Sequence, residues 1–266
     1  MNKKLIALLT LCLLLLAGCG KENAAAADEK AGADAALDTE KTYVVGLDDT
    51  FAPMGFRDES GELIGLDVEL ARDAAKRMGI ELDFQPVDWT MKEQELESGN
   101  IDFIWNGYSI TPEREEMVAF SEPYMDNRQI IVTQNDSPVN SKADLAGKRI
   151  AVQGESSALK AVMDDAAFVD TLAEVPVEYA TNVECFKDVE AGRSDALVVD
   201  EVLARYYMKE NGEENYKVLD ENFGEERYAV GMRKDDVALK SALDQAMKEQ
   251  KEDGTYDKIY ATYFAK

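Results

Sequence analysis

The stretch Asn106-Gly107-Tyr108-Ser109-Ile110-Thr111-Pro112-Glu113-Arg114 follows an apolar run, Ile101-Asp102-Phe103-Ile104-Trp105, that reads as a strand. It leads into a helix start: Thr111 suits a cap, Pro112 the first helical position, and Arg114 falls in the first turn. A strand tip thus delivers bare backbone at Asn106-Gly107, hydroxyls at Ser109 and Thr111, and a guanidinium to one place. This set suits a small carboxylate. Arg offers two parallel N–H bonds, and a helix N-terminus adds free N–H groups with partial positive charge. The same residues equally suit a plain strand-turn-helix in which Arg114 pairs with Glu115 or Glu116.

Strands and helices alternate on both sides of this stretch. Upstream, a strand over Thr42–Leu47 is followed by a loop with Phe51, Pro53 and Phe56 and a hairpin turn near Ser60-Gly61. A helix over Leu66–Met78 stops at Gly79, a strand covers Glu81–Val87, and a helix over Met91–Glu97 stops at Ser98-Gly99. Downstream, strands are predicted at Gln129–Thr133, Arg149–Val152, Ala196–Val199 and Tyr228–Met232. Helices are predicted from Ser141 toward Leu145 and over Ser157–Phe168, Val183–Glu190, Glu201–Asn211, Asp236–Asp253 and Tyr256–Phe264. Such alternation predicts an α/β fold of mainly parallel sheets with helices on both faces. Two similar strand-helix series, before and after about residue 127, predict two lobes.

Composition narrows the chemistry. The chain of 266 residues carries a net charge of −25, and removing residues 1–18, which hold two lysines and no acid, moves it to −27. Such acidity argues against nucleic acid and anionic lipid surfaces as partners. There is no histidine, which excludes His-based triads and imidazole metal sites. Beyond Cys19 only Cys185 remains in the folded part, so no disulfide is expected there. About 225 residues follow residue 41, enough for one large domain or two small lobes.

The N-terminus reads as an export signal. Lys3 and Lys4 precede the apolar stretch Leu5–Leu16, which is too short for a comfortable membrane span. It ends Leu16-Ala17-Gly18-Cys19, similar to the bacterial lipobox, in which the Cys sulfur takes a diacylglycerol. Residues 1–18 are read as a lipoprotein signal peptide, and 19–41, rich in Ala, Asp, Glu and Lys, as a flexible tether. A simple secretory peptide and an uncleaved anchor are the alternatives. The mature protein is expected on the outer face of a bacterial membrane, held by lipid alone.

Ligands in open α/β sheets bind at the carboxyl ends of strands. Four such ends carry suitable chemistry: Asp48 with Phe51 beyond it, the opening stretch, Gln153-Gly154-Glu155-Ser156-Ser157, and Asp200 after Ala196–Val199. Ser156 or Ser157 caps a helix whose N-terminus can also meet an anion. Asp200 either takes an ammonium or simply caps the helix from Glu201. Phe51 and Trp89 read as core or, being placed in loops after strands, as pocket walls.

Taken together, these residues resemble the solute-binding proteins of polar amino-acid ABC transporters, the group of glutamine-, histidine- and lysine/arginine/ornithine-binding proteins. The resemblance rests on F-A-P at 51–53, G-E-L-I-G-L-D-V-E-L-A at 61–71 and S-I-T-P-E-R at 109–114. It continues in F-S-E-P-Y at 120–124, D-L-A-G-K at 144–148 and D-G-T-Y-D-K-I-Y at 253–260. It implies a two-lobe, Venus-flytrap fold: lobe 1 over 42–124 and 229–266, lobe 2 over 129–223, and hinge strands at 125–128 and 224–228. It implies that a polar L-amino acid binds between closing lobes and is delivered to ABC permease subunits by a monomer, with no cofactor, metal or catalysis. By the same resemblance Arg114 holds the α-carboxylate, helped by Gly107, Ser109, Ser157 and Ser156. Asp200 holds the α-ammonium, Phe51 and Trp89 sandwich the side chain, and Asp48 meets its polar end. Two departures stand out: Glu155 where the family often has Gly, and Asn106 where several members have a small hydroxyl or Ala. Which amino acid is bound stays open among glutamine, cystine, histidine and the basic ones.

Two rival functions fit the same fold. An enzyme such as a cyclic-acid dehydratase would need a carboxyl poised over the cleft, for which Glu155 is the candidate. A ligand sensor would need a membrane partner.

Overall fold

The computed structural model describes residues 36–264; the expected signal peptide, Cys19 and most of the tether lie outside the described residues. The first half of the chain runs β1 (Thr42–Leu47), β2 (Thr50–Phe51), β3 (Gly55–Arg57), β4 (Leu63–Ile64), α1 (Leu66–Met78), β5 (Glu81–Pro86), α2 (Lys92–Glu97), β6 (Phe103–Ile104), α3 (Pro112–Met117) and β7 (Ala119–Phe120). Then follow β8 (Met125–Gln134), β9 (Ile150–Gln153), α4 (Ser157–Asp164), α5 (Ala166–Val169), β10 (Val177–Tyr179), α6 (Asn182–Glu190), β11 (Ala196–Asp200) and α7 (Glu201–Asn211). β12 (Tyr216–Tyr228), β13 (Gly231–Met232), α8 (Val237–Glu252) and α9 (Thr255–Phe264) complete the described chain.

Two five-stranded sheets form, one in each lobe, in the orders β5-β1-β6-β13-β7 and β10-β9-β11-β8-β12. In the first, β5, β1 and β6 are parallel, β13 runs antiparallel to β6, and β7 antiparallel to β13. In the second, β10, β9 and β11 are parallel, β8 opposes β11, and β12 opposes β8. Each sheet therefore has one reversed strand among four that run together, the mainly parallel arrangement expected.

Local chemistry explains the elements that fit expectation. α1 buries Leu66, Leu70, Ala71 and Ala74 on one face, at helical spacing, against α8 and α9. Gly79 ends it with φ 70° and returns its N–H to the Ala75 carbonyl. Gly65, which starts it, has φ 137°, and a Cβ there would lie 2.2 Å from the Met54 carbonyl oxygen; only glycine fits.

Several segments differ from the sequence reading; the strand expected over Tyr228–Met232, for one, divides between the end of β12 and β13. The helix expected over 157–168 breaks at Asp165, whose carboxylate accepts the Phe168 N–H and so starts α5. The strand expected over 101–105 narrows to Phe103–Ile104, because β6 pairs with β1 only at Val45–Gly46. β12 extends over 13 residues, of which only its last part was anticipated. Its middle, Asp220-Glu221-Asn222-Phe223-Gly224, has poor strand propensity. Pairing along β8, with register shifts around Asn222, supplies what the residues lack.

Candidate ligand-binding site between the lobes

The opening stretch forms the strand tip and helix start that its residues predict. Thr111 accepts the Arg114 N–H at 3.2 Å and Pro112 begins α3. Arg114 is buried and pairs with neither Glu115 nor Glu116. Nη1 donates to the Ser109 carbonyl at 2.9 Å, and Nη2 reaches the Glu155 carbonyl of lobe 2 at 3.3 Å. Its guanidinium lies over the Tyr108 ring, 4.4 Å from the centroid, with Glu93 3.6 Å from Nε. The cation is thus oriented by carbonyls and an aromatic face, a geometry in which a fork of N–H groups is kept for a planar anion.

The anionic end lies on β11. Asp200 is buried, and its side chain does not cap α7. Its Oδ1 accepts instead from Tyr228 Oη at 2.6 Å, Asn127 Nδ2 at 2.7 Å and Gln129 Nε2 at 3.0 Å. Asn127 and Gln129 also donate to Glu226, each at 2.6 Å. Burial, and then the Glu226 carboxylate, push the Asp200 carboxyl up to about 8.

The two ends are joined by a line of contacts. Ser109 offers its carbonyl to Arg114; its Oγ lies 3.2 Å from Ser157 Oγ, which accepts from Gln129 Nε2 at 3.3 Å, and Gln129 donates to Asp200. Ser157 therefore faces across the cleft. Ser156 does not: its hydroxyl caps α4 through the Leu159 N–H and donates to the Gln153 carbonyl. Capping and a cross-cleft contact, both open in the sequence, fall to neighbouring serines.

Phe51 and Trp89 are buried in separate apolar clusters. Phe51 touches the Gly107 turn so closely that a Cβ at Gly107 would lie 2.8 Å from its ring. Asp48 is buried, accepts from Thr50 N and Oγ1, and takes a bond from Gln153 Nε2 of lobe 2 at 2.9 Å. Burial raises its pKa, against the pull of these donors. Asn106 accepts the Asp48 N–H at 3.1 Å, and its buried Nδ2 has no partner. The loop at Glu155 keeps a glycine-like turn despite its residue, with φ 51°. A left-handed non-glycine costs about 1–2 kcal/mol. Glu155 is exposed and turns its carbonyl, rather than a carboxylate, toward Lys92 and Arg114.

Several residues of the site escaped the sequence reading. Gln129, Asn127, Glu226 and Tyr228 come from the long β8–β12 ladder, whose extent the sequence hides. Lys92 and Asp67 left a visible signal: each is a charged residue on the apolar face of its helix, Lys92 four before buried Leu96 and Asp67 four before buried Ala71. A surface hollow of about 820 Å³ lined by Glu93, Glu97, Glu116, Arg233 and other lobe 1 residues adjoins this seam only through Glu93. Its Arg233 is already bound to Asp102 at 2.5 Å and to Asp236 at 2.8 Å, so it offers a weaker anion site than Arg114.

Asp67 underlies the site. Its Oδ2 accepts the Gly107 N–H at 2.7 Å and Tyr124 Oη at 2.8 Å, so the Gly107 N–H is already engaged and only its carbonyl is left for a ligand. Full burial pushes Asp67 up to about 7. The unfolded chain releases this proton near 3.8, so the stability that Asp67 contributes below that pH is lost as pH rises toward 7. Each unit of difference is worth about 1.4 kcal/mol. Asp67→Asn is expected to flatten the fall in stability between pH 4.5 and 7.5. Urea midpoints of the two proteins across that range measure it, and equal slopes would contradict the assignment.

The family described as "Bacterial extracellular solute-binding proteins, family 3" matches residues 43–266. The chain is 30% identical over 234 residues to the lysine/arginine/ornithine-binding periplasmic protein of Escherichia coli, covering 84% of this chain and 88% of the relative. It is similar to the crystal structure of an ABC uptake transporter substrate binding protein from Streptococcus pneumoniae with bound histidine, with a TM-score of 0.83, 36% identity and coverage of 85% and 94%. It is also similar, at TM-score 0.77, 33% identity and coverage of 85% and 96%, to an ancestral amino acid-binding protein described as a precursor of cyclohexadienyl dehydratase. The match over nearly all of the described chain, on a two-lobe α/β fold, shows that this protein belongs to the family 3 bacterial extracellular solute-binding proteins.

Proposed function

We propose that the protein binds a polar L-α-amino acid between its lobes and hands it to the permease subunits of an ABC importer. One observation carries the reading: Arg114 and Asp200, one from each lobe, are linked through Ser109, Ser157 and Gln129 across the cleft. A zwitterion needs one cation and one anion partner about a residue's width apart, and this line provides them. Arg114 holds the α-carboxylate, Asp200 the α-ammonium, and Ser109 and Ser157 flank the backbone. Phe51 and Trp89 wall the side chain, whose polar end lies toward Asp48 and Asn106. Charge-assisted bonds contribute roughly 1.5–3 kcal/mol each. Two or three with aromatic burial support micromolar binding, about −8 kcal/mol.

The lobe bounds proposed are 42–124 with 229–266, and 129–223, joined through 125–128 and 224–228. Closure is a hinge motion about those strands. A dehydratase would need a carboxyl over the ligand, and exposed Glu155 is poorly placed for it. A thermal-shift screen against the standard amino acids and cystine tests the reading, since a ligand of the native state raises the melting point. A response to no amino acid would overturn it.

Anchoring through lipid on Cys19 is part of the same proposal. Cys19→Ala is expected to move the protein from the membrane fraction to the soluble or secreted fraction. Continued sedimentation with membranes, measured by fractionation and blotting, counts against the lipobox.

A further inference from the structure

We propose that Lys92 is the second cation of the carboxylate end of the site, and that it maintains the net positive charge which Glu93 would otherwise cancel. The inference rests on the reading of Arg114 given above and extends it to a residue outside the amino-acid frame.

Lys92 begins α2 and is 1% exposed. Its Nζ donates to the Trp89 carbonyl at 3.0 Å and, across the cleft, to the Glu155 carbonyl at 2.9 Å, and it lies 3.0 Å from Glu93 Oε2. The Glu155 carbonyl is the one that also receives Arg114 Nη2 at 3.3 Å. The two cations are therefore no more than about 6 Å apart, as two donors sharing one oxygen. Glu93 sits between them: Oε2 meets Lys92, while Oε1 accepts Tyr108 Oη at 2.9 Å and lies 3.6 Å from Arg114 Nε.

Charge counting then decides the role. Two cations and one carboxylate leave this end with one net positive charge, which an arriving α-carboxylate neutralises. Without Lys92, Arg114 and Glu93 already form a neutral pair. The α-carboxylate would then leave a net negative charge in a dry seam, where charges interact several times more strongly than in water. A buried lysine with no such task is unfavourable, since an apolar residue would fill the same helix face as Leu96 without desolvation. Burial first, and then Arg114, bring Lys92 down to about 8, against Glu93 and Glu155, which support its charge. At pH 7 it therefore still carries its charge, and a second anion beside it would hold that charge more firmly. The Trp89 ring, 5.0 Å from Nζ, completes the surroundings. Because the Glu155 carbonyl belongs to lobe 2, Lys92 gains this partner only when the lobes meet. It acts as a positioning residue that couples charge to closure.

The test compares L-arginine and L-histidine with their α-carboxamides, by calorimetry at pH 7, on wild type, Lys92→Met, Glu93→Gln and the double variant. A carboxamide has the same shape but no charge at the site in question. Wild type is expected to prefer the acid over the amide. Lys92→Met is expected to weaken the acid about tenfold or more with little change for the amide, Glu93→Gln to raise the acid-over-amide ratio, and the double variant to return it near wild type. A merely structural role would weaken acid and amide alike, and that result overturns the inference. Should Lys92→Met fail to fold, Glu93→Gln decides alone: a ratio that falls or stays the same overturns it. Wild type that binds both acids without preferring them to the amides overturns the Arg114 reading itself. An unchanged ratio in Lys92→Met beside a normal wild-type preference overturns only the role of Lys92.

Discussion

Replacing Arg114 by alanine is expected to lower amino-acid affinity at least a hundredfold while the protein stays folded. Two charge-assisted N–H bonds to a carboxylate together contribute about 3 kcal/mol or more, and a factor of ten corresponds to 1.4 kcal/mol. The loss is larger than a surface arginine would give, because Arg114 is buried, stacked on Tyr108 and held by the Ser109 and Glu155 carbonyls. The lobe 1 contacts, to Ser109 and Tyr108, orient its fork independently of closure. Some stability also goes, roughly 1–2 kcal/mol, as the Tyr108 face and Glu93 lose a neighbour. Arg114→Lys keeps the charge but not the fork and should fall between the two. Calorimetry with L-arginine or L-histidine measures the effect, and a dissociation constant within threefold of wild type would remove Arg114 from the site. A thermal melt separates lost binding from lost folding.

Asp200→Asn is expected to weaken α-amino acids by about ten- to a hundredfold and to leave the corresponding deaminated acids unaffected. The discrimination follows from placement. Asp200 stands with Gln129, Asn127 and Tyr228 at the end of the contact line opposite Arg114, and under the proposed reading it would meet the ammonium rather than the carboxylate. Equal losses for both ligand types would assign it a structural role. A pH signature accompanies this. Burial, and then the neighbouring Glu226, raise the Asp200 carboxyl to about 8, so at lower pH it carries a proton that an ammonium must displace. Wild-type affinity should therefore fall as pH drops below about 8, by at most about tenfold per unit. The groups facing it from β8 and β12 are Asn127, Gln129, Glu226 and Tyr228, and of these Glu226 is the other carboxylate. Asp200→Asn should flatten that limb. An acid limb unchanged in the variant would place the titration elsewhere.

Both predictions start from residues visible in the sequence, but visibility was uneven. The Thr111 cap, Pro112 and the Gly79 stop were legible because each acts within a turn of its own position. Arg114 was legible as a cation at a strand tip, with its partners undecided between Glu115, Glu116 and a ligand. The fold resolved this through Ser109, Glu155 and Glu93, of which two lie more than twenty residues away. Asp200, read from its local context alone, favoured a cap over a ligand partner. Strand β12, 28 residues downstream at Tyr228, draws the carboxylate away. Ser156 and Ser157 could not be ranked, because both fit a cap and only the path of α4 says which one faces lobe 1.

The sequence by itself determined the class of fold, the four strand ends that bear chemistry, the direction of charge at the site and the family resemblance. These depend on periodicity, capping and turn residues, all of which act over a few positions. Only the tertiary structure decided which side chains share an oxygen or a proton. It brought Lys92 and Arg114 onto one carbonyl, Asp200 beside Glu226, and Asp67 beneath Gly107. Each of these is a long-range electrostatic choice. Its energy depends on distance and burial, which no local pattern records and which packing two lobes together creates.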